Sequence, residues 1–167
     1  MFKYIDIDQY VYLSFMLSMG VLFRGYNIMK KNDPISKIMS TEVVSVHQGQ
    51  KLSDVRHIIC DSSIHHVPVV DGNKLIGLIS YTDLMKLNIV ISGADERTVD
   101  AIIDQQFTIQ DVMVTNLTTL SDTSTVREAS KILAVGNFHS LPVVDQQQQI
   151  VGMVTMTDLI QYLNEQY

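Results

Sequence analysis

Residues 77–83 read GLISYTD, and residues 152–158 read GMVTMTD. In both stretches a glycine and two apolar residues lead to a hydroxyl residue, and an aspartate follows that hydroxyl residue by three positions. A strand that runs directly into a helix has this pattern, because Ser or Thr caps the helix and Asp in the first turn favours its N-terminus. We therefore predict the same strand-to-helix junction at two places in the chain.

The two junctions belong to a longer internal repeat. Residues 38–71 align with residues 112–145 at a constant offset of 74, and residues 75–87 align with 150–162 at an offset of 75. The single slip falls in a predicted turn, where an insertion is tolerated. Identical pairs occur along the whole repeat: Met39/Met113, Thr41/Thr115, Ile58/Ile132, His65/His139, Pro68/Pro142, Val69/Val143, Val70/Val144, Asp71/Asp145, Gly77/Gly152, Thr82/Thr157, Asp83/Asp158 and Leu84/Leu159.

The first half of each repeat predicts a strand followed by a helix. Short strands are predicted at 43–46 and 117–120, where mostly β-branched residues lie between polar turns. Thr125 followed by Glu128 predicts a capping box at the start of the second of these helices. Cys60 is predicted to be a small core residue of the first helix. Apolar residues recur at helical spacing in both copies: Leu52, Val55, Ile58 and Ile59, then Val126, Ala129, Ile132 and Leu133.

A hairpin and a final helix complete each repeat, which gives the order β-α-β-β-α. Continuous apolar strands are predicted at 67–70 and 141–144, with return strands at 75–79 and 150–154. Such strands need cover on both faces of their sheet, and a unit of this size is marginal alone. We therefore predict an α+β fold in which the two units pack face to face about a pseudo-twofold axis.

The chain divides into four segments. Residues 1–33 are an N-terminal segment, 34–88 the first repeat, 89–107 a linker and 108–167 the second repeat. Within the linker we predict a loop and then a short helix that carries Val99, Ile102 and Ile103, with the loop at Ser92-Gly93-Ala94-Asp95.

The apolar run at residues 11–23 is too short to span a bilayer and lacks the pattern of a secretory signal. Two interpretations of the N-terminal segment remain open. The protein starts at Met29, directly before the repeat, or the segment is a helix that covers an apolar surface of the repeats. We expect no membrane partner; a membrane-proximal regulator held by this run is a more distant alternative.

The composition argues against several classes of function. A net charge of −6 offers no positive field for nucleic-acid phosphates, so we expect no nucleic-acid partner. The single cysteine precludes an internal disulfide and fits a reducing compartment, and we place the protein in the cytoplasm. No HExxH, CxxC, Walker or GxGxxG pattern occurs. We therefore predict no metal site, no catalytic residues and no required cofactor.

The junctions offer a second interpretation beside helix capping. Free N–H groups at a helix N-terminus attract phosphate, and Ser80 or Thr155 can add a hydroxyl donor. The neighbouring carboxylate of Asp83 or Asp158 can accept two hydrogen bonds from a vicinal ribose diol. A nucleoside phosphate supplies both of these groups.

The junctions, together with VPVVD at 67–71 and LPVVD at 141–145, resemble a tandem pair of cystathionine-β-synthase (CBS) domains, called a Bateman module. The resemblance covers about residues 34–165. It implies a pseudosymmetric pair with two clefts that bind adenosine-containing ligands, here AMP, ADP, ATP or S-adenosylmethionine. It also implies further pairing into a disc-shaped homodimer.

The resemblance implies roles for the matching residues. Contacts to ribose and phosphate are implied for the junction residues Ser80, Thr82, Asp83, Thr155, Thr157 and Asp158. Walls of the adenine pocket are implied for Thr41, Thr115 and the strands at Pro68 and Pro142.

The segments around His65 and His139 resemble the regulatory gamma subunit of AMP-activated protein kinase, in which the matching histidine contacts phosphates. The alternative for each is a histidine at a strand start that bonds the backbone. His66 stands where that relative has a phosphate-binding arginine, and Ser140 does so in the second repeat, so tight triphosphate binding is not expected.

Our first hypothesis is a regulatory module that senses an adenosyl ligand and signals to an unknown effector protein or through self-association. The alternative is a ligand-independent dimerisation scaffold, in which the hydroxyl and Asp residues only cap helices. Because the copies differ at His66/Ser140 and Ser80/Thr155, we expect two similar but unequal sites.

Overall fold

The structure is a computed structural model that describes residues 32–62, 64–87 and 95–166. The two interpretations of the N-terminal segment and the Ser92–Ala94 part of the predicted loop lie outside these residues.

The first repeat forms a three-stranded sheet with two helices. Its elements are β1 (Val46–His47), α1 (Leu52–Asp61), β2 (His66–Asp71), β3 (Lys74–Ser80) and α2 (Tyr81–Met85). The sheet order is β1-β2-β3, with β1 parallel and β3 antiparallel to β2.

The second repeat has the same order of elements. After the linker come β4 (Leu120–Ser121), α5 (Val126–Leu133), β5 (Ser140–Val144), β6 (Ile150–Thr155) and α6 (Met156–Asn164). Its sheet order is β4-β5-β6, with the same strand directions. The predicted β-α-β-β-α unit is confirmed in both copies.

The predicted bounds of the first strands were wrong. Strands β1 and β4 are two residues long and begin at Val46 and Leu120, not at residues 43 and 117. The residues before them bend instead: the N–H of Val43 donates to the carbonyl of Thr41, and Leu117 does the same to Thr115. These short turns use backbone groups that a longer strand would have offered to β2 or β5.

Two helices lie between the repeats. The predicted linker helix is confirmed as α3 (Glu96–Gln106), which begins at the N-cap Asp95, and a short α4 (Ile109–Val112) follows it. Helix α3 packs against α1, where Arg56 forms an ion pair of 2.8 Å with Asp100.

The opening segments of the two repeats, residues 34–41 and 108–115, are exchanged, and we call them the lead segments. Ser40, at the end of the first lead segment, pairs with Met153 of β6 through two hydrogen bonds of 2.9 Å. Val114, its equivalent, pairs in the same way with Leu78 of β3. Each repeat therefore adds an edge to the sheet of the other, which fixes the pseudo-twofold arrangement.

The two hydrophobic cores follow the same exchange. Ile109, although it belongs to the second repeat, is fully buried in the core of the first with Val46, Val55 and Val67. Ile35, in a single 3₁₀ turn at Ile35–Lys37, is fully buried in the core of the second. The predicted inward faces of α1 and α5 are confirmed by the burial of Leu52, Val55, Ile59, Val126, Ala129 and Leu133.

The prediction for Cys60 was wrong, because its side chain is exposed. Leu52, Val55 and Ile59 already form the buried stripe of α1. One residue after Ile59 the helix has turned by about 100°, so Cys60 lies off that stripe.

The tips of the two hairpins meet. The N–H of Leu75 donates to the carbonyl of Gln148 at 3.0 Å, and the N–H of Ile150 donates to that of Asn73 at 3.1 Å. The second hairpin turn, the glutamines at residues 146–149, is polar as its sequence predicts, and these backbone hydrogen bonds also join the two sheets.

Candidate functional site

The first strand-to-helix junction is built around Asp83. Its Oδ2 accepts hydrogen bonds from the Ser80 N–H at 3.0 Å and from the Ser80 hydroxyl at 2.5 Å. The Ser80 hydroxyl also lies 2.8 Å from that of Thr82. Lys86 Nζ contacts the other oxygen, Oδ1, at 2.7 Å. Burial raises the pKa of Asp83, but the hydrogen bonds from Lys86 and Ser80 outweigh it, so the net pKa is lowered.

The second junction repeats this geometry with one difference. Asp158 Oδ2 accepts from the Thr155 N–H at 2.7 Å and from the Thr155 hydroxyl at 2.8 Å. Gln161 stands where the first repeat has Lys86. Within the described residues no side chain bonds Asp158 Oδ1, so this oxygen is available to accept a hydrogen bond from a ligand.

The histidines before the central strands brace the junctions through their backbones. The carbonyl of His65 accepts from the N–H of Tyr81 at 2.9 Å, and that of His139 accepts from Met156 at 3.2 Å. Both histidine side chains are exposed. These two bonds involve only the backbone of each histidine, so the roles of the imidazole rings stay predictions.

Histidines of both repeats influence the pKa of His66. His66 is half-buried and pairs across the strands with Ser80. Burial is the largest of the effects that lower the pKa of His66, and positive charge at His139 and His65 lowers it further. The negative charge of Asp83 acts in the opposite direction and raises it. A charge in the second repeat therefore influences the pKa of a histidine that pairs with Ser80 of the first junction.

The residues predicted to line the adenine pockets lie where each lead segment pairs with the sheet of the other repeat. Pro142 pairs with Met153, which in turn pairs with Ser40, so Thr41 directly follows the edge of the second sheet. In the first sheet the same row runs from Pro68 through Leu78 to Val114, and Thr115 follows it. Each candidate site therefore combines a junction of one repeat with the threonine at the end of the other repeat's lead segment.

Ser140, the counterpart of His66, differs from it in environment. It lies on β5 opposite Thr155, is buried, and its hydroxyl makes no hydrogen bond with the described part of the protein. Sequence reasoning compared Ser140 only with an arginine in a relative and missed this burial. It also missed Lys86, although Asp and Lys three residues apart on a helix are a recognisable pair.

Two further features are stated only for residues 32–62, 64–87 and 95–166. No group of three or more His, Cys, Asp or Glu side chains could hold a metal ion there. None of the helices there has the length and apolar character that crossing a membrane requires.

The sequence matches the model of the CBS domain over residues 35–89 and again over 109–165. The chain therefore belongs to the CBS-domain family, with two copies in tandem. A CBS domain-containing protein of Dictyostelium discoideum is 30% identical over 131 residues, which cover 77% of this chain and 90% of that protein. A homoserine O-acetyltransferase of Methanohalobium evestigatum is 23% identical over 95% of this chain, but the match spans only 30% of that enzyme.

Solved CBS pairs have the same fold. The CBS domain pair of protein MJ0100, in complex with 5-methylthioadenosine and S-adenosylmethionine, superposes with a TM-score of 0.62 at 24% identity, covering 78% of this chain and 98% of that one. The protein CBSX2 in complex with AMP gives a TM-score of 0.66 at 20% identity, covering 80% and 97%. The α+β fold with two packed CBS units is thus shown.

Proposed function

We propose that this chain is a regulatory module that binds an adenosine-containing ligand in the clefts formed by its two CBS units. The observation that carries the proposal is the second junction, where Asp158 holds the helix cap with Oδ2 while its Oδ1 has no side-chain partner among the described residues. A ribose diol is a donor pair that such a carboxylate can accept. The ligands of the two solved relatives, AMP and the adenosyl compounds, support the same ligand class.

The charges near the junctions favour ligands with few phosphates. We propose His65, His66 and His139 as the groups that face a phosphate, and burial lowers the pKa of His66, so it is mostly neutral at neutral pH. Neutral imidazoles stabilise phosphate less than guanidinium groups do. We therefore propose AMP or S-adenosylmethionine ahead of ATP, with ADP between them.

The two sites are proposed to be unequal. At the first junction Lys86 contacts Asp83 Oδ1, whereas no described side chain bonds Asp158 Oδ1, so a ribose must compete with an ion pair at the first site. Ser80, Thr82 and Thr115 would complete the first site, and Thr155, Thr157 and Thr41 the second.

The module is proposed to regulate and not to catalyse. At each junction the hydroxyl beside the Asp carboxylate belongs to the capping residue of the helix, and helix capping accounts for this contact without a catalytic role. Binding would change the behaviour of an effector protein, or of a cytoplasmic homodimer, through different affinities for two states.

A thermal-shift panel tests this function. Full-length protein is heated with AMP, ADP, ATP and S-adenosylmethionine, and with GMP as a control for purine phosphate alone. A ligand at about 100 times its Kd stabilises by about 2.7 kcal/mol, which raises Tm by several degrees. No shift with any adenosyl compound contradicts the proposal and supports the alternative scaffold, in which the junctions only cap helices.

A further inference from the structure

An apolar groove of about 480 Å³ lies between α5 and α6 on the outer face of the second repeat. The α6 side of the groove carries Met156, Ile160 and Leu163, whose side chains are 40%, 55% and 42% exposed. Exposing so many large apolar side chains in one cleft is costly, so the groove is suited to an apolar occupant.

The chain enters the described structure at the rim of this groove. The carbonyl of Asp33 accepts from the N–H of Val126 at 2.8 Å, and its carboxylate accepts from the hydroxyl of Tyr162 at 2.9 Å. Val126 and Tyr162 both line the groove. The described structure therefore starts next to the groove, and 31 residues precede Asn32 in the sequence.

The equivalent face of the first repeat is already covered by α3. Ser53 of α1 bonds Asp104 of α3 at 2.8 Å, and Arg56 pairs with Asp100. At the offset of 74, Ser53 and Arg56 correspond to Arg127 and Ser130 of α5, and both of these line the groove. The open groove is thus the counterpart of a face that the chain itself covers in the other repeat.

The repeat identifies which residues would provide that cover. At the same offset, α3 corresponds to residues 22–32, and Ile102 and Ile103 correspond to Ile28 and Met29. Residues 22–31 read LFRGYNIMKK, half of which are large apolar or aromatic side chains. We propose that residues 22–31 bind in the groove between α5 and α6, as α3 covers α1.

Geometry favours this segment over a second copy of the protein. Ten residues reach at most about 33 Å when extended, and the eight-residue α5 is about 12 Å long, so the segment can cover it. A tethered segment also acts at an effective concentration on the order of millimolar, which a second chain rarely matches.

Thiol protection tests the proposal. Ala134 lines the groove and corresponds to the exposed Cys60, so a Cys60→Ser, Ala134→Cys chain carries its only thiol in the groove. We expect alkylation of this thiol to become about tenfold faster when Ile28→Asp and Met29→Asp are added, the change given by a docking free energy of about 1.4 kcal/mol. Without these two substitutions, the slower alkylation rate should not depend on protein concentration.

The control is Cys60 in the otherwise native chain, whose alkylation rate should not change with the same two substitutions. A faster Cys60 would report general unfolding, in which case the rates are repeated with Ile28→Ser and Met29→Ser. Equal rates at position 134 with and without the substitutions overturn the proposal. Protection that increases with protein concentration also overturns it, because a second copy would then be the occupant.

Discussion

The Sδ atom of Met113 lies 2.5 Å from the position that a Cβ atom on Gly77 would occupy. Met39 has the same relation to Gly152, at 2.7 Å, so each methionine of one lead segment fills the space left by a glycine in the other repeat's sheet. The exchange of lead segments therefore depends on two glycine–methionine contacts that the repeat duplicates.

Replacing these glycines should destabilise the protein. Gly152→Ala brings a methyl group against Met39 and to 3.1 Å from the backbone oxygen of Ser40, so neither neighbour can move freely. We expect a loss of about 1–3 kcal/mol in urea unfolding. Gly49→Ala, where no atom lies within 4 Å, is the control and should change stability by less than about 0.5 kcal/mol. Equal stability of both variants would contradict the packing role.

Much of this arrangement could be predicted from the sequence, but not the exchange itself. The junctions and the hairpins have local signals, since capping residues and turn residues act within a few positions. The partner of a lead segment has no such signal, because Ile35 and Ile109 are equally apolar and either core could bury them. The exposure of Cys60 could have been predicted, because helix periodicity alone puts it off the stripe of Leu52, Val55 and Ile59. The short lengths of β1 and β4 could not, because they depend on turns that form before these strands and on packing that a sequence window does not contain.

The buried hydroxyl of Ser140 predicts an unusual gain in stability. It has no hydrogen-bond partner among the described residues, and a buried unpaired hydroxyl costs about 1–3 kcal/mol. Ser140→Ala should therefore raise the free energy of unfolding by about 1 kcal/mol. Ser53→Ala is the control and should lower the free energy of unfolding, since the equally buried Ser53 donates a hydrogen bond to Asp104 at 2.8 Å. Destabilisation by both substitutions would mean that Ser140 has a partner.

The pH dependence of stability should contain a contribution from His57. Its hydrogen bond to Asp100 raises the pKa of His57 above 6.5, against a smaller opposing effect of burial. The folded state therefore holds this proton more tightly, so the stabilisation is complete below about pH 6.5 and disappears as pH rises through the folded pKa. Between about pH 5 and about pH 8, the free energy of unfolding should therefore fall less in His57→Gln than in the parent protein, by up to about 1 kcal/mol.

His66 should act in the opposite direction. Burial, with help from His139 and His65, lowers its pKa below 6.5, so the unfolded state binds this proton more readily. Stability from His66 is therefore complete above about pH 6.5 and falls as the solution becomes more acidic. His66→Gln should make the protein relatively more stable at about pH 5. If its urea-unfolding profile against pH matches that of the parent, the electrostatic account of this histidine is wrong.

Lys86 should set the difference between the two sites. Its 2.7 Å contact with Asp83 is an exposed ion pair of the kind that contributes up to about 1 kcal/mol, so Lys86→Gln should strengthen binding of uncharged adenosine about two- to fivefold at the first site. Gln161→Lys should weaken the second site by a similar factor. Adenosine is chosen because it carries no phosphate that Lys86 could itself attract. Unchanged adenosine affinity in both variants would show that Lys86 does not compete with the ribose.

The most direct test is isothermal titration calorimetry of the full-length chain with AMP. The account predicts saturable binding that Asp158→Asn weakens by about tenfold or more at one site, because a hydrogen bond to a charged group is worth about 1.5–3 kcal/mol and the amide retains only one acceptor. Asp111→Asn is the matched control, because Asp111 accepts from Thr108 in the same capping geometry on α4, at 2.9 Å and 2.6 Å. It should leave AMP binding unchanged. Absence of AMP binding, or equal affinity in the two variants, would contradict the assignment of Asp158 to an adenosyl site.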